Sequence, residues 1–313
     1  MSDITVHAYR ADDASEWNAW IAASKSGTFL HDRRFMDYHA DRFDDASMIV
    51  RSAGKLIALF PANRSADTII SHGGLTYGGM IVDQKMRTAT CLDVFSAILS
   101  YARAAGADKL LYKPVPHIYH RQPAEEDLYA VFRSGGRLVR CDASAAIPLR
   151  DRPKASKSRL HAARAAQKAG VVVLETGDWP AFWAILTDVL SQRHDASPTH
   201  SLGEIELLAS RFPERIRLFG AFHEGRMIAG LVTFDCGPAI HVQYIAASPK
   251  GRDLGGVDVV VAHLTDTVFV NRDWFDFGIS TTNRGLQLNE GLAQQKEMFG
   301  GRCVVYQQFE IDL

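Results

Sequence analysis

The 313-residue sequence has no apolar run approaching the ~18 residues that a membrane-spanning helix needs. Its opening, MSDITVHAYR, lacks the apolar stretch of a secretory signal. Cysteine is sparse: Cys91, Cys141, Cys236 and Cys303 are scattered without a CxxC pair, which argues against a disulfide framework and suits reduced thiols. These absences point to a cytoplasmic chain with no membrane span. Net charge is nearly absent too, at −1, so there is no global attraction to DNA or anionic lipid, and any polyanion must meet a local patch.

The length is about twice that of a usual domain, and 47% hydrophobic with 23% charged residues is a globular composition. Two domains, 1–149 and 150–313, are therefore expected. One basic patch stands out. Arg150, Arg152, Lys154, Lys157, Arg159, Arg164 and Lys168 face a single acid, Asp151, over the junction. This is either a solvated helix face or a surface for a phosphorylated ligand.

Periodicity gives the C-terminal half an order of elements. A β-branched strand, Val171 to Thr176, precedes an N-cap at Asp178 and a helix striped with Phe182, Trp183 and Leu186. Ser201 and Glu204 form a capping box for a second helix. A hairpin turns at Glu224-Gly225, and a strand from Ala239 to Ala247 leads into the loop Pro249 to Gly256. A helix to Val270, a strand from Trp274 to Ser280, a helix from Leu288 to Phe299 and a strand from Cys303 to Ile311 follow. The N-terminal half reads in the same order, with helices over Phe35 to Phe43, Ala89 to Ala105 and Asp127 to Arg133, and a last strand Arg137 to Cys141. Such a repeat suggests duplication of one fold.

On that order, and on the stretches SHGGLTYGG (Ser71 to Gly79), HVQYIAAS (His241 to Ser248), FDFGIS (Phe275 to Ser280) and LNEGLAQQKEMFGGR (Leu288 to Arg302), the chain resembles the tandem GNAT acyltransferases of the FemAB-like family. The resemblance implies an α/β (α+β) fold of two GNAT-type domains in tandem, each a mixed, mostly antiparallel sheet flanked by helices. It also implies transfer of an acyl group from acyl-CoA, or from aminoacyl-tRNA, as a co-substrate with no permanently bound cofactor.

A pyrophosphate is held most simply by backbone N–H groups leading into a helix N-terminus. Lys250, Gly251, Arg252, Gly255 and Gly256 supply such a loop, although Val257 stands where the GNAT pattern has a last small residue. The matching N-terminal stretch, Met80 to Thr90, has no glycine, so donor binding is expected only in the second half.

Acyl transfer to an amine needs a base, an oxyanion donor and a proton for the leaving group. In the implied fold the fourth and fifth strands splay around the acyl carbonyl. Strand alternation puts His241 with Gln243 on one face, Val242 with Tyr244 on the other, and Asp276 toward His241. His241 is the candidate base and Asp276 its partner, unless the two simply fasten neighbouring strands. Glu290 is the alternative base, and Lys296 a contact for phosphate or carboxylate. Gln243 and Tyr244, with His72, Tyr77, Lys113, His117 and His120 of the first domain, are expected to line an acceptor pocket bordering the cleft between domains. His117 and His120 lack further ligands at zinc spacing, so no metal is expected.

The expected partners are a small-molecule acyl donor and an amine acceptor, such as an amino sugar in cell-surface polysaccharide synthesis. Aminoacyl transfer from tRNA, which the basic patch could meet, is the alternative, and a non-catalytic binding module the third.

Overall fold

A computed structural model describes residues 3–194 and 197–313. The chain forms two compact units, one of residues up to Ala143 with Thr281–Gln287 and Val305–Leu313, the other of Ser144–Ser280 with Leu288–Val304.

In the first unit, β1 (Ile4–Ala8), β2 (Met48–Ser52) and β3 (Lys55–Phe60) make an antiparallel sheet completed by Ile81–Val82. β4 (Asn63–Ser65) pairs antiparallel with β5 (Thr68–Ile70), which runs parallel to β6 (Lys109–Tyr112). Helices α1 (Ala14–Ala23), α2 (Thr88–Ala104) and α3 (Glu126–Arg133) flank them. The core joins Val50, Phe60, Val94, Phe95, Ile98 and Tyr112, all buried. The helix expected over Phe35 to Phe43 is one turn, Arg33–Met36, followed by a 3₁₀ turn.

The first unit's last strand is longer than expected. β7 runs over Arg137–Pro148, and its residues from Ser144 onward belong to the second unit. The boundary expected from the sequence is that between 1–149 and 150–313. The Ala-rich end of β7 has weak strand propensity and is held by pairing with a strand far along the chain.

The second unit contains α4 (Lys157–Lys168), β8 (Val172–Thr176), α5 (Trp179–His194), α6 (Leu202–Arg211), β9 (Ile216–His223), β10 (Arg226–Asp235), β11 (Ala239–Ala247), α7 (Gly256–His263), β12 (Trp274–Ile279) and α8 (Glu290–Met298). A final strand, β13 (Arg302–Asp312), begins in the second unit, and its residues from Val305 onward belong to the first, where they pair with β6. The second unit's sheet order is β8-β9-β10-β11-β12-β7, with β11 and β12 parallel and the other pairs antiparallel.

Local chemistry explains these boundaries. Asp178 accepts from Ala181 N to open α5. Ser201 and Glu204 exchange their bonds ahead of α6. Glu224 and Gly225, both at positive φ, make the tight turn that suits a twisted hairpin. One face of the sheet packs Phe219, Leu231, Ile240, Val242 and Phe275 against Val259 to Val261 of α7. Phe182, Trp183 and Leu186 of α5 are buried, with Trp183 edge-on to Tyr244 of β11. Among the described residues no helix is long and apolar enough to cross a membrane.

Close packing makes some glycines obligatory and others not. A Cβ on Gly251 would lie 2.0 Å from the Ile228 carbonyl oxygen, whereas one on Gly203 meets nothing within 4 Å. Gly251→Ala should therefore lower the melting temperature, at a cost of about 1–3 kcal/mol or more. Gly203→Ala, in the first turn of α6, should hold or raise it, by up to ~1 kcal/mol. Paired thermal melts check both.

Candidate functional site

β11 and β12 pair for three rungs, Ala239 with Trp274, Ile240 with Phe275 and His241 with Asp276, and there the register ends. Both strands become irregular at that point. In β11 the register with β10 steps from Val232–Tyr244 to Thr233–Val242, so Gln243 is the extra residue of a bulge. In β12 Gly278 has φ of +75°, and the register with β7 shifts between Asp276 and Ile279. Beyond the last rung lies a cavity of ≈ 210 Å³, walled by Ile245 and Ala247 of β11, Phe277 of β12, and Lys296 and Phe299 at the end of α8.

The bulge corrects one expectation. Val242 and Ile240 lie in the core beside α7, while Tyr244 turns to α5. Val242 and Tyr244 therefore do not share a face, because one extra residue inverts the alternation beyond it. Tyr244 is buried, and its hydroxyl meets His200 (Nδ1···Oη 2.6 Å). Gln243 is half-buried.

His241 and Asp276 form a hydrogen-bonded pair, with Nδ1 2.7 Å from Oδ2. Asp276 is fully buried, and its Oδ1 accepts from Ser144 Oγ at 2.6 Å and from Gly278 N at 3.1 Å. An ionised carboxylate only accepts, so a neutral His241 carries its proton on Nδ1 and its lone pair on Nε2. Gly278, left-handed at φ +75°, takes a conformation that favours glycine.

Lys296 is buried, and its ammonium donates to the carbonyls of Gly278 (2.8 Å) and Ile279 (2.7 Å). Burial lowers its pKa to about 8, with the Asp276 charge opposing. Instead of reaching out to a phosphate or carboxylate, Lys296 clasps the irregular end of β12. Glu290, six residues earlier, is exposed at the start of α8 and is not gathered with the pair.

The glycine loop is more structured than a bare phosphate cradle. Pro249–Asp253 form a helical turn capped by Ser248, and Gly255, left-handed at φ +69°, starts α7. Gly251, Gly255 and Gly256 admit the backbone of Ile228, the backbone of Ala162 and the Cβ of Ala229 respectively, so the close approach they permit is the protein's own. Lys250 pairs with exposed Glu224 at 3.0 Å, and Arg252 donates to the Ala247 carbonyl at 3.0 Å beside the slot. A more open cavity of ≈ 670 Å³, lined by Arg159, His161, Arg252 and Gly255, adjoins this loop.

The basic patch divides. Arg150, Arg152 and Arg159 pair with Asp273, Asp266 and Asp258, whereas Lys157, Arg164 and Lys168 are exposed on α4. With exposed His161 they fall within about 60° of arc on a helix turning roughly 100° per residue, opposite buried Ala163 and Ala166.

In the first unit, Lys113 is buried and donates to the carbonyls of His72 (3.0 Å) and Leu75 (2.5 Å), and burial lowers its pKa to about 8. His72 is buried at φ +48°. Tyr77 is buried against Tyr119 and His31. His120 contacts the Val115 carbonyl at 2.9 Å, and His117 is exposed. Among the described residues no group of three or more His, Cys, Asp or Glu is arranged to hold a metal ion. Ser144 is the residue that sequence reasoning missed, since a serine among alanines carries no signal until β7 pairs with β12.

Burial also makes the first unit acid-sensitive. It lowers the pKa of His31 to about 4, of His72 to about 3 and of His120 to about 4. Between pH 6.5 and 4 the unfolded chain therefore binds protons that the folded one refuses, and stability present above 6.5 is lost on acidification. Asp127, raised to about 6 chiefly by burial, works in the opposite sense over part of that window. Stability should fall by on the order of 2–3 kcal/mol per pH unit as pH drops through 6 to 5. Denaturant melts across pH check this, and a flat profile would contradict it.

The profile of the Acetyltransferase (GNAT) domain family matches residues 154–283. FemX has a similar fold, with a TM-score of 0.70 at 12% identity over 99% of this chain and 97% of that one. L-PGS from Bacillus licheniformis gives 0.63 at 12% identity, covering 98% and 93% of the two chains. A tandem GNAT protein from the clavulanic acid biosynthesis pathway gives 0.50 at 13%, covering 99% and 98%. No curated protein matches by sequence. Residues 154–283 therefore match the Acetyltransferase (GNAT) domain family, which supports an acyltransferase, and the chain as a whole has a fold similar to that of FemX.

Proposed function

We propose that the chain transfers an acyl group from acyl-CoA to the amine of a small polar acceptor, such as an amino sugar used in cell-surface polysaccharide synthesis, in the cytoplasm. The observation that carries this reading is the slot between the ends of β11 and β12 that lie beyond the His241–Asp276 rung. Its walls, Ile245, Ala247, Phe277 and Phe299, suit the thin apolar arm of an acyl thioester. The first turn of α7, behind Gly255, offers backbone N–H groups and the positive helix end to a pyrophosphate.

In this reading the acceptor nitrogen attacks the thioester carbonyl, the C–S bond breaks, and the thiolate leaves and is protonated. His241 Nε2 takes the proton from the nitrogen, and Asp276 stabilises the imidazolium. Lys296 donates two of its three N–H bonds to carbonyls, and the third can meet charge developing in the slot.

A second reading, aminoacyl transfer from charged tRNA, is favoured by the cationic ridge of α4 alone. Mass spectrometry of protein purified from cells separates the two: bound CoA or acyl-CoA supports the first, and nuclease-sensitive RNA the second. With acetyl-CoA and a panel of amino sugars, His241→Ala should cut thiol release by about 10²–10⁴ and leave the acetyl-CoA thermal shift nearly intact. Full turnover by His241→Ala across pH would reduce the pair to a structural clasp.

A further inference from the structure

We propose that Ser144 is a positioning residue that sets the tautomer of His241 through Asp276, an inference that rests on His241 being the base. Ser144 is 2% exposed within the run Ala143, Ser144, Ala145, Ala146, where every neighbour manages without a polar side chain. A buried hydroxyl is costly unless bonded, and this one donates to the Asp276 carboxylate at 2.6 Å.

The geometry assigns Ser144 more than the satisfaction of a buried charge. The terminal torsion of an aspartate is broad and does not by itself choose which oxygen faces a neighbour. Ser144 Oγ and Gly278 N both bind Oδ1, one from β7 and one from β12 itself, and this turns Oδ2 onto His241 Nδ1. An unconstrained neutral imidazole prefers its proton on Nε2, the nitrogen that must be bare to accept a proton. The Nδ1–H form has to be imposed, and an acceptor fixed at 2.7 Å imposes it. Ser144 never receives the proton. It acts by holding Asp276.

Long-range ¹H–¹⁵N NMR of the imidazole nitrogens in the full chain tests this without a known acceptor, with the His241 signals assigned from their loss in His241→Gln. In the wild type with a neutral ring, Nδ1 should carry the proton. In Ser144→Ala the population should shift toward Nε2–H, and Ser144→Thr, which keeps the hydroxyl, should restore it. If Ser144→Ala fails to fold, Ser144→Cys, nearly isosteric and a weak donor, should show the same shift in part. Retention of Nδ1–H in Ser144→Ala or Ser144→Cys with only a lower melting temperature would overturn the proposal. Thiol release by His241→Ala is read separately. Full turnover there refutes the base assignment, whereas a tautomer indifferent to Ser144 refutes this inference alone.

Discussion

Two strands that pair for three rungs and then part expose backbone groups and a gap in the middle of a sheet, and the second unit is organised around that break. Buried peptide groups need partners, so an opening of this kind must be stabilised by its surroundings. Three devices do so. The bulge at Gln243 bends β11 away, and the left-handed Gly278 bends β12. Lys296 then takes up the carbonyls of Gly278 and Ile279, which the bend has turned aside. At the apex the last rung is spent on a histidine and an aspartate, with Ser144 brought in from β7 to complete the carboxylate's bonding. The slot exists because these groups tolerate the break.

The first unit uses one of the same devices for a different stretch of chain. Lys113, buried and with its pKa lowered to about 8, clasps the carbonyls of His72 and Leu75 within the glycine-rich segment SHGGLTYGG, as Lys296 clasps the end of β12. In both units a desolvated ammonium costs stability that its carbonyl partners partly return, and the result is an irregular segment held in one conformation.

Much of this was legible in the sequence wherever local chemistry decides the outcome. The caps at Asp178 and Ser201, the Glu224-Gly225 turn and the stripe Phe182, Trp183, Leu186 all mark elements that form where expected. Alternation also paired His241 with Asp276, because no irregularity precedes that rung. What escaped depends on distant partners. A bulge leaves no trace in composition, so the faces of Val242 and Tyr244 were misassigned. The strand expected over Arg137 to Cys141 stops short of the end of β7, whose strand character there comes from pairing with β12. The loop glycines were legible as sites of close approach, but only the fold reveals that Ile228 and Ala162 are what approaches.

The central claim is that the break between β11 and β12 is where the acyl donor lies. Hydrogen–deuterium exchange of the full chain with and without acetyl-CoA tests it most directly. The account predicts slowed exchange at Gln243 to Ala247 and at the first turn of α7, Gly256 to Val259, with little change over residues 3–143. Protection confined to Ser71 to Gly79, with the amides of β11 and α7 unaffected at saturating acetyl-CoA, would contradict it.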